Sequence, residues 1–364
     1  MLSQTLHRHF GMDIVRAFAI LTVLIGHGLI FLPQFYNVQW LIYLAVFGVE
    51  LFFALSGFLI GNILIRMTHK PLRLSDVLQF WIKRWMRTIP VYLFVVLIII
   101  VLKQNFYFSY LLFIQNYYPE QLKDFPISWS LTIEEWFYLS FPVLMYLIGK
   151  LLAHSKKSLI IPLSTLVFLI VPLLLRYFAI ESTENWDNSI RKQIHFRPDG
   201  IAYGVLLAYF YDGYKSIFIK NKFTFLLGIL NVIGFIGVWW LFNQKINVFS
   251  AQPSVFNNVI FYPLINIYSA LFVAYFIRFE KYSTSKTQKF ILFVSLISYS
   301  LYLVHFPIYL WFSKYATTPI LAFSYLTMAI ILMFIIGTVL YKSIEKPFIN
   351  LRNSCTSKDV TTHL

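Results

Sequence analysis

Ten apolar segments follow one another along this chain, at about 11–32, 40–65, 80–102, 129–153, 159–180, 196–211, 222–242, 257–277, 291–312 and 320–341. About 20 apolar residues are what a helix needs to span the hydrocarbon of a bilayer. In that solvent a helix also satisfies its own backbone N–H and C=O groups. The pattern predicts an all-α integral membrane protein with about ten transmembrane helices. Composition agrees, since 59% of the 364 residues are hydrophobic and 12% are charged, whereas soluble domains run at about 45–50% and about 25%. A soluble enzyme, a disordered chain and a disulfide scaffold are excluded. The segment at 196–211 is short for a full crossing. The aromatic stretch at 106–118 is too short and too polar, and reads as an interfacial or re-entrant piece.

The formal net charge of +15 would point to nucleic acid in a soluble chain. Here it records topology. With the N-terminus in the cytoplasm, 22 of the 30 Lys and Arg fall on the inner side or at inner helix ends, the asymmetry that orients membrane helices. Both termini are therefore expected to be cytoplasmic, with the bilayer as a partner and no nucleic acid. No repeat or long polar linker divides the chain. Residues 1–349 are expected to form one transmembrane domain and 350–364 a short cytoplasmic tail. The single Cys355 excludes an intramolecular disulfide. The first apolar run lacks a small-residue cleavage site and reads as a retained span, and the ending from Thr361 to Leu364 is no prenylation box.

Ionisable side chains inside spans are costly and face a bundle interior or a wet cavity, so each is a candidate for function. Arg16 and His27 are eleven positions apart in the first segment. That is about 16.5 Å of rise and close to three full turns, so both project from nearly the same face. A snorkelling cation and a core histidine are the plain alternatives. Glu50 lies in the outer part of the second segment among apolar neighbours and needs a partner. His27 at similar depth is a candidate, and a buried pair that only ties two helices is the alternative. Ser56, Gly57 and Gly61 allow close packing there. Arg84 and Arg87 share a face at the cytoplasmic mouth, and their planar forks suit phosphate oxygens of a soluble ligand or of lipid headgroups.

Glu134 and Glu135 stand near the outer start of the fourth segment. Thr132 and Glu135 have capping-box spacing, which gives Glu135 a structural reading and leaves Glu134 the freer carboxylate. Arg197 and Asp199, at the outer start of the sixth segment, can be an ion pair or a ligand contact. His305 is a second outer-half imidazole, near a proline at 307 that can free a backbone carbonyl. No metal spacing, Gly-rich nucleotide loop or G-x-S-x-G elbow occurs. The chemistry on offer is His with carboxylates.

Taken together these segments resemble the acyltransferase-3 family, the multi-helix membrane O-acyltransferases that acetylate bacterial surface and exported glycans. The resemblance rests on D-I-V-R-A-F-A-I-L-T-V-L-I-G-H at 13–27, F-G-V-E-L-F-F-A-L-S-G-F-L-I at 47–60, R-W-M-R-T-I-P-V-Y at 84–92 and W-S-L-T-I-E-E-W-F-Y-L at 129–139. It continues with R-P-D-G-I-A-Y-G at 197–204, S-Y-S-L-Y-L-V-H-F-P at 298–307 and I-E-K-P-F at 344–348. These seven strings, in family order, cover nearly the whole chain. Glu50 stands where many members carry Asp, and Trp136 replaces a frequent Gln. Some members carry an added extracytoplasmic hydrolase-like domain, and without it the membrane domain is expected to complete transfer alone or with a partner.

The resemblance implies acyl-CoA, usually acetyl-CoA, as a donor substrate entering from the cytoplasm, with no permanently bound cofactor. The implied acceptor is a sugar hydroxyl of a polysaccharide, lipopolysaccharide, other glycan or lipid-linked sugar, reached from the far side of a bacterial cytoplasmic (inner) membrane. Arg66, Arg84 and Arg87 would hold donor phosphates, and Arg16 would hold them or tie a helix pair. His27 would be the general base, with Glu50, Glu134 or Glu135 as the carboxylates that orient and stabilise its ring. Trp129, Arg197, Asp199, Tyr302 and His305 would contact the acceptor, and the outer segments 104–128 and 181–196 would form a sugar platform. A covalent route through Ser56, Ser130 or His27 stays open. The chief rival is a transporter or flippase of lipid-linked sugars with a His/Glu proton relay, against which stands the lack of paired halves with broken helices. A scaffold subunit, indifferent to loss of His27, Glu50 and Glu134, is the third reading.

Overall fold

Each long apolar segment closes its backbone hydrogen bonds as a helix. The computed structural model describes residues 8–32, 39–152, 154–181, 186–244, 254–282 and 285–361. Its long helices are α1 (Phe10–Gly28), α2 (Ile42–Thr68), α3 (Leu74–Lys103), α6 (Ser128–Leu151) and α7 (Ile160–Phe178). They continue with α8 (Asp199–Phe218), α9 (Asn221–Gln244), α10 (Phe261–Phe276), α11 (Lys286–Ser313), α12 (Pro319–Leu340) and α13 (Lys346–Thr361). The 106–118 stretch is broken into α4 (Ser109–Leu112) and a 3-10 turn at Gln115–Tyr117, followed by α5 (Pro119–Leu122). Tyr92 of α3 ties it down by donating to the Tyr110 carbonyl at 3.1 Å.

Among the described residues there is no strand, and nine helices are long and apolar enough to cross a membrane. About ten were expected, and α8 accounts for the difference. It has 20 residues, but Asp212 and Lys215 lower its apolar character and its backbone leaves helical geometry at Tyr214. A π-turn at Tyr341–Glu345 joins α12 to α13. The expected boundary near residue 350 therefore falls inside a helix, and residues 362–364 lie outside the described residues.

From α1 to α12 successive long helices alternate in direction, and α13 continues α12. The N-terminus, the α2–α3 turn and the start of α11 share one end, called here the basic end; His27 and the starts of α6 and α8 lie at the other. At the centre is α2, with 78% of its apolar window buried, against α1, α8 and α10; α9, with 17%, is peripheral. Lipid tails offer no hydrophobic drive between helices, so contact depends on small residues. A Cβ on Gly57 would lie 1.9 Å from the Ile201 carbonyl oxygen, and one on Gly204 would lie 2.1 Å from that of Ala54. Those glycines bring α2 and α8 together backbone to backbone and set the depth of Glu50 opposite the start of α8.

Candidate active site

At the basic end one carboxylate serves several donors. Asp13 accepts from Arg8, Tyr282 and Ser295. Arg16 Nη1 reaches Asp13 Oδ1 at 3.2 Å and Ser295 Oγ at 3.3 Å, so Arg16 ties α1 to α11. Arg87 of α3 makes no hydrogen bond or ion pair with any described residue, and Arg16, Arg84, Arg352 and Glu345 are the charges acting on it. Glu345 is buried and accepts from Ser300 Oγ at 3.0 Å. The result is a cluster of guanidiniums with more positive than negative charge. Arg66 does not join it. The side chain faces outward on α2, and its Nε donates to its own helix at the Asn62 carbonyl, 3.0 Å away.

Deeper in the bundle, Tyr138 donates to Glu134 Oε2 at 2.6 Å and shares its hydroxyl with Ser56 and Arg84 Nη2. Arg84 also stands 3.8 Å from Glu134 Oε2. Glu134 and Tyr138 are one turn apart on α6, so a single face presents both to α3. Glu135 turns to the same helix and accepts from Thr88 Oγ1 at 3.0 Å. The capping-box alternative for Glu135 is not formed. Helix α6 begins at Ser128, more than a turn earlier than the box requires, and Thr132 donates to the Ser128 carbonyl at 3.2 Å. Both carboxylates are thus bound up with α3 residues.

Helix α11 runs beside this set and links it to the far end. Ser295 meets Asp13, Tyr299 donates to the Thr88 carbonyl at 2.9 Å, and Tyr302 shares a 2.6 Å hydrogen bond with Ser130. Positions 295, 299 and 302 are the i, i+4 and i+7 of one helical face. Beyond them, His305 Nε2 lies 2.8 Å from His27 Nδ1, and His305 Nδ1 lies 2.6 Å from the Tyr302 carbonyl. The ring planes are within 16° of parallel and the centroids 5.1 Å apart, so the two rings meet edge to edge through these nitrogens. His305 is fully buried and His27 is half-buried. Among the described residues no carboxylate partners His27, contrary to expectation. Besides His305, the charges acting on that ring are Arg191 and Lys192, with no Asp or Glu of the described residues among them.

Glu50 is instead taken by Arg197, whose Nη2 donates to both carboxylate oxygens at 2.7 Å. Asp199 is 3.9 Å from Arg197 Nε and accepts from Arg176 Nη2 at 2.7 Å. Both guanidiniums lie over the Tyr262 ring, Arg197 at 4.0 Å and Arg176 at 4.8 Å. All five side chains are 2% exposed or less. This two-by-two charge network lies between α2, α7, α8 and α10, and the ion-pair reading of Arg197 is the one its geometry supports. Arg176 sits in an apolar span, so the rule that singles out Arg16 also marks it, although sequence reasoning passed it over.

The rim near His27 is made of the two expected outer segments, of which residues 182–185 lie outside the described residues. Tyr117 and His195 stack at 5.7 Å with 7° between planes, both exposed. Asn116 donates to the Trp129 carbonyl at 2.9 Å and the Lys192 carbonyl at 2.6 Å. Trp129 itself is 5% exposed, covered by the Arg191 guanidinium 4.6 Å above its ring, so it is a packed residue and not an open face. Asp187 pairs with Arg191 and Lys192. Burial pushes the Asp187 carboxyl up, but the two cations more than offset this and hold it below its ordinary value. A depressed carboxyl stabilises the fold above the unfolded-state pKa, about 4 for Asp, and loses that contribution as pH falls through the folded value. Asp187→Asn is therefore expected to loosen the 186–196 rim at pH 7, with the gap from wild type closing below about pH 4; limited proteolysis across that range measures it.

No group of three or more His, Cys, Asp and Glu among the described residues is placed to hold a metal. In comparison with known proteins, the family model described as "Acyltransferase domain" matches residues 9–342. The O-acetyltransferase OatA of Staphylococcus aureus (strain NCTC 8325 / PS 47) is 30% identical over 368 residues, covering 93% of this chain and 56% of the relative. A putative O-acetyltransferase, SACOL0978, of S. aureus (strain COL) is 27% identical over 373 residues, covering 93% and 57%. The chain thus spans about half the length of the curated relatives it matches. No solved structure matches.

Proposed function

The chain belongs to the acyltransferase-3 family, and on that premise we propose that it is a membrane O-acyltransferase moving an acyl group, acetyl above all, from acyl-CoA to a sugar hydroxyl. The observation that carries the reading is the polar face of α11. Arg16 is bonded at its Ser295 and His27 at its His305, and those anchor points are ten residues or about 15 Å of rise apart. That span is comparable to an extended phosphopantetheine arm. Arg16, Arg84 and Arg87 would hold the donor's phosphates at the basic end, assigned to the cytoplasm by the excess of Lys and Arg there. The thioester would reach toward His27. As the sugar oxygen attacks the thioester carbonyl, His27 Nε2 takes its proton; the thiolate leaves and receives a proton, giving the ester and free CoA. The stacked Tyr117 and His195 offer an aromatic face to a pyranose of a surface glycan or lipid-linked sugar. The setting is the bacterial cytoplasmic membrane.

The test is purified protein in liposomes supplied with labelled acetyl-CoA and a glycan acceptor. Acceptor-dependent release of CoA is expected. A transporter would leave the thioester intact, and that result would overturn the reading. Because Arg87 has no bonded partner among the described residues, Arg87→Gln is expected to fold normally and raise the KM for acetyl-CoA about 10-fold or more, the scale of one charge-assisted hydrogen bond. Steady-state kinetics at fixed acceptor measure it.

A further inference from the structure

No carboxylate among the described residues holds the His27 ring, yet a general base needs one nitrogen free and the other fixed. The Tyr302 carbonyl can only accept, so the His305 Nδ1 facing it at 2.6 Å carries a proton. In the neutral ring Nε2 is then an acceptor. The atom 2.8 Å from it is His27 Nδ1, which must donate. With both rings neutral this leaves His27 Nε2 as a bare lone pair, and it has no partner among the described residues. One backbone carbonyl thereby fixes the tautomers of two rings in sequence.

We propose that His305 is the positioning residue for this reaction, holding His27 in the Nδ1–H tautomer and taking the place that a carboxylate occupies in other His-based acyl transfers. The proposal rests on His27 being the base. The substitution suits the surroundings: a neutral imidazole inside a membrane bundle avoids the desolvation cost of a carboxylate, and the three carboxylates expected near His27, Glu50, Glu134 and Glu135, are bonded elsewhere. Pro307 lacks the N–H that would bond the Leu303 carbonyl, and the His305 ring packs one residue earlier, against Tyr302. During transfer the hydroxyl proton goes to His27 Nε2. The Nδ1 proton then lies on the short bond to His305 Nε2, so the positive charge is shared by both rings until the departing thiolate is protonated.

The test combines kinetics with the ¹⁵N spectrum of histidine-labelled protein, His27 being assigned by its loss in His27→Gln. In wild type the His27 signals are expected to report protonated Nδ1 and bare Nε2. His305→Leu removes the acceptor: kcat is expected to fall on the order of 10²-fold with the KM for acetyl-CoA unchanged, and the His27 signals to become those of mixed tautomers. His305→Gln carries a carbonyl for His27 Nδ1–H and an amide for the Tyr302 carbonyl, and is expected to recover at least about tenfold of that loss together with the single tautomer. An inactive His27→Ala beside a His305→Leu with full kcat and an unchanged His27 spectrum would overturn the positioning role. Normal transfer by His27→Ala would instead overturn the base assignment, while the spectrum still reported whether the two rings pair.

Discussion

Replacing His27 with Ala is expected to lower kcat for acyl transfer by about 10²–10⁴-fold, the range a positioned general base supplies, with folded protein still recovered from the membrane. The side chain is half-buried, and α1 stays fixed to α11 without it through Asp13 with Ser295 and through Tyr309, which donates to the Leu24 carbonyl at 3.2 Å. The arginine cluster is eleven residues away along α1 and is untouched. The KM for acetyl-CoA should therefore hold while kcat and kcat/KM fall together, the pattern of a group used only in the transition state. Single-turnover transfer of labelled acetyl-CoA, alongside a melting curve in detergent, measures both halves. A variant whose rate stays within about twofold of wild type would remove His27 from the chemistry and leave the arginine cluster as a headgroup site.

Helices were legible in the sequence because length and apolarity are local properties, and α8 was ambiguous for the same reason. Three charges within a 20-residue helix, Asp199, Asp212 and Lys215, depress its hydropathy, whatever its neighbours bury. Faces were legible as well: three turns separate Arg16 from His27, and both do turn toward α11. Partners were not. Glu50 meets Arg197 across 147 positions and His27 meets His305 across 278, and periodicity along one helix says which side chains share a stripe, never which helix lies opposite. Glu135 failed differently. Its capping-box spacing with Thr132 is real, but a box needs a helix that starts at Thr132. Here the chain already turns at Phe125, whose carbonyl accepts from the Ser128 N–H at 3.1 Å, and α6 is under way from Ser128. The family strings ran through the right segments and could not say which of their charges touch.

Glu50→Ala is expected to destabilise the protein by about 3–5 kcal/mol, the cost of leaving one member of a buried ion pair uncompensated. Of its carboxylates Arg197 would keep only Asp199, at 3.9 Å, and that one is already engaged by Arg176 at 2.7 Å. Loss of activity in this variant would not identify a catalytic group, because an unfolded acyltransferase and a folded one lacking its carboxylate look alike in a transfer assay. The double replacement Glu50→Met with Arg197→Met separates them. Exchanging a whole buried ion pair for apolar side chains of similar volume is often neutral or stabilising, and Tyr262, Phe53 and the close α2–α8 contact at Gly57 and Gly204 remain to receive the methionines. If the pair only sets the spacing of α2 and α8, the double variant melts near wild type and retains transfer that Glu50→Ala has lost. If Glu50 acts on substrate or on His27, the double variant folds and stays inactive. The geometry favours the first outcome, since both oxygens of Glu50 are taken by one guanidinium and a carboxylate so neutralised has little field left for an imidazole on another helix.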